Sequence, residues 1–135
     1  MSERSGYRGY IASRPVMGSR APQHVQNLVI RDYAQRNGLM YKLSATEYVM
    51  PHCYMMLEQV LAELPRLEGF IAYTLFMLPE RRERRLEVYG RVLEAGCSLH
   101  TAVEGMVLST QADIGRFEDV VAVHRAVSSM DPVRL

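Results

Sequence analysis

The chain has 135 residues, of which 48% are hydrophobic and 23% charged, a composition that describes one globular domain and excludes a disordered chain. Sixteen basic residues oppose fifteen acidic ones, so the charge balance provides no basic surface of the kind that nucleic-acid binding requires. The longest apolar segment, residues 69–78, is about half as long as a membrane span, and no signal peptide is visible; we therefore expect a cytoplasmic protein without a membrane partner.

The first predicted strand covers residues 7–13 and leads through a polar loop into a helix that begins near Pro22. Apolar residues at helical spacing form the expected buried stripe of this helix, namely Val25, Leu28, Val29 and Tyr33. The helix is predicted to end at "RNG", because Gly38 suits the left-handed position that follows a helix.

A second strand is predicted over residues 39–49, followed by a helix that starts at Pro51, a favoured first helical position. Its expected buried stripe consists of Met55, Met56, Val60, Leu61 and Leu64.

The third strand, "FIAYTLFML", is apolar throughout, as a central parallel strand should be. Pro79 opens a third helix that stops at Gly96, and its charged residues lie three and four apart, as on a solvated outer face. The fourth strand is "SLHTAVEG", and a last helix covers residues 114–127 before a tail, from about residue 128, that we expect to be flexible.

Alternating strands and helices with short connections predict βαβ units and a parallel sheet. The predicted architecture is one α/β domain over residues 1–135, a three-layer sandwich whose four-stranded, mainly parallel sheet carries helices on both faces. Because the edges of such a sheet are exposed, we expect a homo-oligomer.

Ligands of open parallel sheets bind beyond the carboxyl ends of the strands, and polar side chains accumulate at that end here. The candidates for proton transfer or nucleophilic chemistry are Glu47, His24, His52 and Ser13. The candidates for holding a substrate are Arg14, Arg20, Gln23, Asn27, Arg31, Tyr48 and Glu104. In particular, Arg14, His24 and Arg31 are predicted to form one anion-binding wall.

Some of these residues also have plain structural explanations. Both histidines are at helix starts and could be exposed caps. Ser13 could be a turn residue. Glu47 stands in an apolar strand end, where a partner such as Arg14 or Arg31 would make the carboxylate structural.

Motifs for nucleotide, nicotinamide or zinc binding are absent from the sequence. Cys53 and Cys97 stand in no metal or redox spacing. We therefore expect no cofactor and no bound metal.

Two families share features with this chain. The order of elements resembles the catalytic domain of the serine recombinases, whose first strand is similar to "GYIAS" and whose fourth strand and following helix are similar to "AVEGMVLSTQADIGRF". Where that family has "LDRLAR", residues 75–80 read "LFMLPE", so the acidic residue and both arginines are missing. The resemblance implies a resolvase-like fold without DNA strand exchange, since that reaction needs the arginines to stabilise a phosphoryl transition state.

The chain is also identified as a member of the sporadic carbohydrate cluster family, small bacterial proteins from gene clusters for surface-polysaccharide synthesis. The matching stretches include "SRPVMGSRAPQHVQNLVIRDY", "LSATEY", "FMLP" and "LHTAVEG". This resemblance implies a role in carbohydrate biosynthesis. The residues favour an enzyme that acts on an activated, phosphorylated or acidic sugar by general acid–base chemistry, as an isomerase, epimerase or lyase would. The alternative is a non-catalytic module that binds a sugar nucleotide or a partner enzyme.

Overall fold

The computed structural model describes residues 4–16 and 21–129. Its helices and strands follow one another as β1 (Tyr7–Ala12), α1 (Gln23–Arg36), β2 (Tyr41–Glu47), α2 (Met55–Glu63), β3 (Gly69–Ala72), α3 (Arg82–Glu94), β4 (Ser98–Thr101), β5 (Met106–Leu108) and α4 (Asp113–Ser129). The sheet order is β2-β1-β3-β4-β5, with the first four strands parallel and β5 antiparallel to β4. The predicted α/β sandwich is thus confirmed, with five strands instead of four.

Alternating side chains of the strands separate two hydrophobic cores, because successive residues of a strand point to opposite faces of the sheet. Tyr10 and Phe70 belong to the larger core, which α2, α3 and α4 cover. Ile11 and Ile71 belong to the smaller core, which α1 covers. The helices therefore form the two outer layers of the sandwich.

Two helix ends agree with the sequence. Gly38 follows α1 with φ +66°, and Gly96 follows α3 with φ +72°. Both values fall in the left-handed region, which glycine adopts without steric cost. These glycines end their helices as predicted.

Other boundaries differ from the prediction for local reasons. Helix α2 begins at Met55 and not at Pro51, because His52 adopts φ +59° and so cannot continue a right-handed helix. Strand β3 ends at Ala72, where the chain turns into a short 3₁₀ helix, Leu75–Met77. The predicted fourth strand turns at Gly105 (φ +67°) and returns as β5, which at three residues is too short to show a period.

The predicted stripes of α1 and α2 are partly wrong. Leu28 is 61% exposed and Met55 is 64% exposed, whereas Gln26 and Leu57 are buried. Helix α4 includes residues 128 and 129, which the sequence assigned to a flexible tail. The rest of that tail and Arg20 lie outside the described residues.

His100 is a buried titratable group in the layer between the sheet and α1. Its ring shares hydrogen bonds with the Tyr33 hydroxyl (2.7 Å, at Nδ1) and with the Ser98 hydroxyl (3.1 Å, at Nε2). Burial lowers the pKa of His100 to about 4, because a buried imidazolium loses its hydration.

We expect this histidine to make stability fall as the pH drops from about 6.5 to about 4. In that range the unfolded chain binds a proton that the folded chain does not, so protonation favours unfolding, by up to about 3 kcal/mol once the pH is below 4. Urea unfolding at several pH values measures this, with His100→Gln as the comparison. The variant should have a flatter slope of unfolding free energy between pH 4 and 6.5. Equal slopes in the two proteins would contradict the assignment.

Candidate functional site

A concave surface lies beyond the carboxyl ends of the parallel strands, a cleft of about 760 Å³ that we call the main cleft. One wall is the segment after β1 and the loop between β2 and α2. The opposite wall is α4, and the floor is the 3₁₀ segment after β3. Its lining side chains include Arg14, Val49, His52, Tyr54, Phe76, Glu80, His124 and Arg125.

Glu47 is fully buried at the end of β2 and is the anchor beneath this cleft. Its carboxylate accepts hydrogen bonds from the Tyr10 hydroxyl (2.8 Å) and from the backbone N–H groups of Met56 and Leu57 (both 3.0 Å). A further N–H, that of Tyr48, donates at 3.2 Å. The Tyr54 side chain makes no capping bond at the start of α2, so Glu47 satisfies the first turn of that helix from a neighbouring strand.

Glu47 therefore has a structural role, but its hydrogen-bond partners differ from the arginines that the sequence suggested. Neither Arg14 nor Arg31 pairs with its carboxylate among the described contacts; a tyrosine and backbone amides do. Burial, followed by the neighbouring Glu47 carboxylate, raises the pKa of Tyr10, so its hydroxyl remains a donor.

Arg14 fixes the loop between β2 and α2. One guanidinium nitrogen, Nη1, donates to the backbone carbonyls of Tyr48, Met50 and Cys53 at 3.3, 3.1 and 2.8 Å. The guanidinium also lies over the Tyr54 ring, 5.1 Å from its centroid. In the described contacts Nε and Nη2 form no hydrogen bond, so the one edge of the cation that carries these two nitrogens can serve a ligand in the cleft.

His52 stands at the rim of the main cleft and has the one positive φ of a non-glycine residue in the described chain. Its Nδ1 lies 3.9 Å from a carboxylate oxygen of Glu80, and both side chains are exposed. A histidine beside a carboxylate at a cleft mouth is an arrangement that can transfer protons near neutral pH.

Helix α4 supplies the opposite wall. Arg125 donates to the backbone carbonyl of Glu80, and the His124 ring packs against Phe76 in a tilted arrangement with centroids 4.7 Å apart. The helix is held by Glu118, which accepts from buried Arg85 at 2.8 and 2.9 Å. The hydrogen bonds from Arg85 lower the pKa of Glu118, so the pair remains ionised and fixes α4 against α3.

A smaller cavity of about 290 Å³ adjoins the main cleft and shares Arg14, Val16 and Phe76 with it. Its polar lining includes Glu104, from the turn between β4 and β5. The Glu104 carboxylate accepts from the Thr74 hydroxyl at 2.5 Å and from the Leu75 N–H at 2.9 Å. These bonds hold the carboxylate against the chain that follows β3, at the cavity wall.

Several of the predicted site residues that the structure describes line neither the main cleft nor the smaller cavity. Arg31 lies over the Tyr41 ring, 5.7 Å from its centroid, and Asn27 accepts from Ser44 in the same region, beside the open edge of β2. Gln23 and His24 are exposed on the first turn of α1, and in the described residues neither lines the two cavities. Arg14 is therefore the one member of the predicted anion-binding wall that lines the main cleft.

The two remaining predicted site residues, Ser13 and Tyr48, take part in hydrogen bonds to backbone carbonyls. The Ser13 hydroxyl donates to the carbonyl of Glu47 at 3.0 Å, and Tyr48 provides a carbonyl for Arg14. Buried Gln26, which was not predicted as a site residue, holds the end of β1 to the start of α1. Its side chain donates to the carbonyls of Ala12 and Ala21 and accepts from the Ala12 N–H.

Glu80, His124 and Arg125 were also not predicted as site residues. Glu80 lies just before α3, in the charged stretch that the sequence assigns to a solvated face, so no local pattern marks it. The packing of α4 over the 3₁₀ segment brings His124 and Arg125 to the cleft. Within the described residues, no three His, Cys, Asp or Glu side chains are grouped as metal ligands, and no helix there has the length and apolar character to cross a bilayer.

The fold is similar to a solved structure, the N-terminal catalytic domain of TP901-1 integrase. The TM-score is 0.65 at 12% sequence identity, and the similarity covers 92% of this chain and 98% of that chain. At this identity the likeness concerns the fold alone, and it confirms the predicted resolvase-like architecture. No protein-family model and no curated protein matches the chain.

We expect Glu47→Ala to destabilise the fold by about 3 kcal/mol or more, because buried donors on Tyr10, Met56 and Leu57 would lose their acceptor. Glu47→Gln keeps one acceptor oxygen, but its NH2 group would face backbone N–H donors in either orientation, so it should also destabilise the fold. Chemical denaturation measures both, with Glu94→Gln on the exposed side of α3 as the control. If Glu47→Ala is as stable as the control, Glu47 is not the anchor of α2.

Proposed function

We propose that this chain is a carbohydrate-biosynthesis enzyme that binds an activated or phosphorylated sugar in the main cleft and transforms it by general acid–base chemistry. The observation that carries the proposal is that two arginines, Arg14 and Arg125, line one cleft whose floor includes the apolar side chain of Phe76. Arginine suits phosphate because its planar fork donates two parallel hydrogen bonds. A cleft of about 760 Å³ is of the size that small-molecule sites have.

The substrate class also rests on the resemblance to the sporadic carbohydrate cluster family. That resemblance covers stretches that form the cleft, since "SRPV" contains Arg14 and "FMLP" forms the floor. We therefore propose membership of the sporadic carbohydrate cluster family together with the carbohydrate substrate.

In the proposed mechanism His52 moves the proton and Glu80 orients its imidazole. The left-handed backbone of His52 favours this role, because strained conformations concentrate at functional sites. Glu47 takes no proton in this mechanism; it positions the loop that carries His52. Isomerisation, epimerisation and elimination beside a carbonyl all begin with such a proton transfer.

A non-catalytic binding module is the second candidate. The hydrogen bonds of Glu47, the exposed methionines near the rim and the open edge of β2 favour it. The carboxylate best shielded from water, Glu47, already accepts from a hydroxyl and three backbone N–H groups, so it is a poor base. Met50 and Met55 are exposed near the rim and could contact a partner enzyme. The open edge of β2 could pair with a second copy of the chain.

We expect Arg125→Gln to weaken the binding of glucose 1-phosphate at least fivefold, because the cleft loses a cation that faces the phosphate. Arg116→Gln is the matched control: it removes the same charge from an exposed position on the same helix, outside the main cleft as described. NMR titration measures both dissociation constants. Equal affinities in the two variants would contradict the proposed phosphate site.

We expect His52→Asn to stop proton transfer while binding changes less than threefold. Asparagine tolerates the left-handed backbone, so the loop should remain intact. Incubation with sugar phosphates in D2O, followed by mass spectrometry, detects carbon-bound deuterium without knowledge of the product. Wild type should incorporate deuterium at least 100-fold faster than the variant, within the range of general acid–base catalysis. Binding without any exchange in wild type would favour the binding module instead.

A further inference from the structure

The main cleft and the smaller cavity are two compartments of one surface. Arg14, Val16 and Phe76 line both, so these residues form the boundary between them. A ligand that contacts Arg14 can therefore reach into either compartment.

The two compartments differ in charge. Arg14 and Arg125 make the main cleft cationic, with the exposed Glu80 carboxylate at its rim. In the smaller cavity Glu104 adds a carboxylate beside Thr74 and the backbone near Tyr73. An anionic group should prefer the main cleft, and a second anionic group should be repelled from the cavity.

The Glu104 carboxylate is already oriented for hydrogen bonding. The Thr74 hydroxyl and the Leu75 N–H each bind one of its oxygens, which fixes the group but uses only part of its acceptor capacity. Hydroxyl groups of a ligand can donate to the remaining lone pairs. The Gln26 side chain, by contrast, uses both of its N–H groups on backbone carbonyls and accepts from the Ala12 N–H, so it adds rigidity to the cavity wall.

We propose that the ligand spans both compartments: its phosphate, bound at Arg14, and the carbon that exchanges a proton with His52 lie in the main cleft, and the neutral, polyhydroxylated remainder of the sugar reaches into the smaller cavity at Glu104. This rests on the proposed function and narrows it, because it excludes acidic sugars among the activated or phosphorylated ones. Glu104 is the residue that would discriminate between neutral and acidic sugars, because its carboxylate repels a second negative charge.

The test compares glucose 1-phosphate with glucuronic acid 1-phosphate, which differ by a carboxylate on the ring. Dissociation constants are measured by NMR titration for wild type, for Glu104→Gln and for Glu83→Gln. The last variant is the matched control, since Glu83 is exposed on α3 and lines neither described cavity. Thermal melting confirms that each variant is folded.

Wild type and Glu83→Gln should bind the neutral sugar at least tenfold more tightly than the acidic one. Glu104→Gln should reduce that ratio to about one, mainly by improved binding of glucuronic acid 1-phosphate. The amide is close to isosteric and removes the charge while it retains a carbonyl acceptor.

Two outcomes overturn the inference. If wild type binds both sugars equally, the cavity does not select a neutral ring, and this holds even if Glu104→Gln fails to fold. If the tenfold preference persists in a folded Glu104→Gln, Glu104 is not its source. Both leave the proposed phosphate site intact, whereas failure of wild type to bind either sugar phosphate would overturn the proposed function as well.

Discussion

The architecture around the cleft depends on one buried carboxylate. Glu47 joins β1 to the start of α2, because the same group accepts from the Tyr10 hydroxyl and from the first free amides of the helix. A carboxylate without water is costly unless its oxygens are fully hydrogen-bonded. Here the bonds offset that cost, and they fix where the loop between β2 and α2 begins and ends.

The loop between β2 and α2 positions the residues of the candidate site. Its carbonyls converge on Arg14, which aligns the cation between two compartments, and its left-handed residue presents His52 at the rim. The opposite wall has a separate anchor in the Arg85–Glu118 pair. Two rigid supports, one for each wall, explain how short loops without regular structure can hold functional side chains in place.

The sequence predicts the layers and most of the elements, because apolar periodicity and helix-ending glycines such as Gly38 are local signals. It does not predict β5 or the early end of β3, where the chain that follows is held by Glu104, 30 positions from Thr74 and 29 from Leu75. For the site, Arg14, His52 and Glu104 do line the cavities. Arg31 does not, because its direction on α1 depends on packing against Tyr41. Arg125 had no local signal, since only the docking of α4 brings it to the cleft.

The central claim is that the main cleft binds a phosphorylated sugar. Its most direct test is an amide chemical-shift map of the uniformly 15N-labelled protein titrated with glucose 1-phosphate. The account predicts saturable shifts concentrated in residues 14–16, 49–54, 75–80 and 121–125, together with residues 73–74 and 103–104 of the smaller cavity. Shifts confined to the groove of Arg8, Asn27 and Arg31 beside the edge of β2, or no saturable shifts, would contradict it.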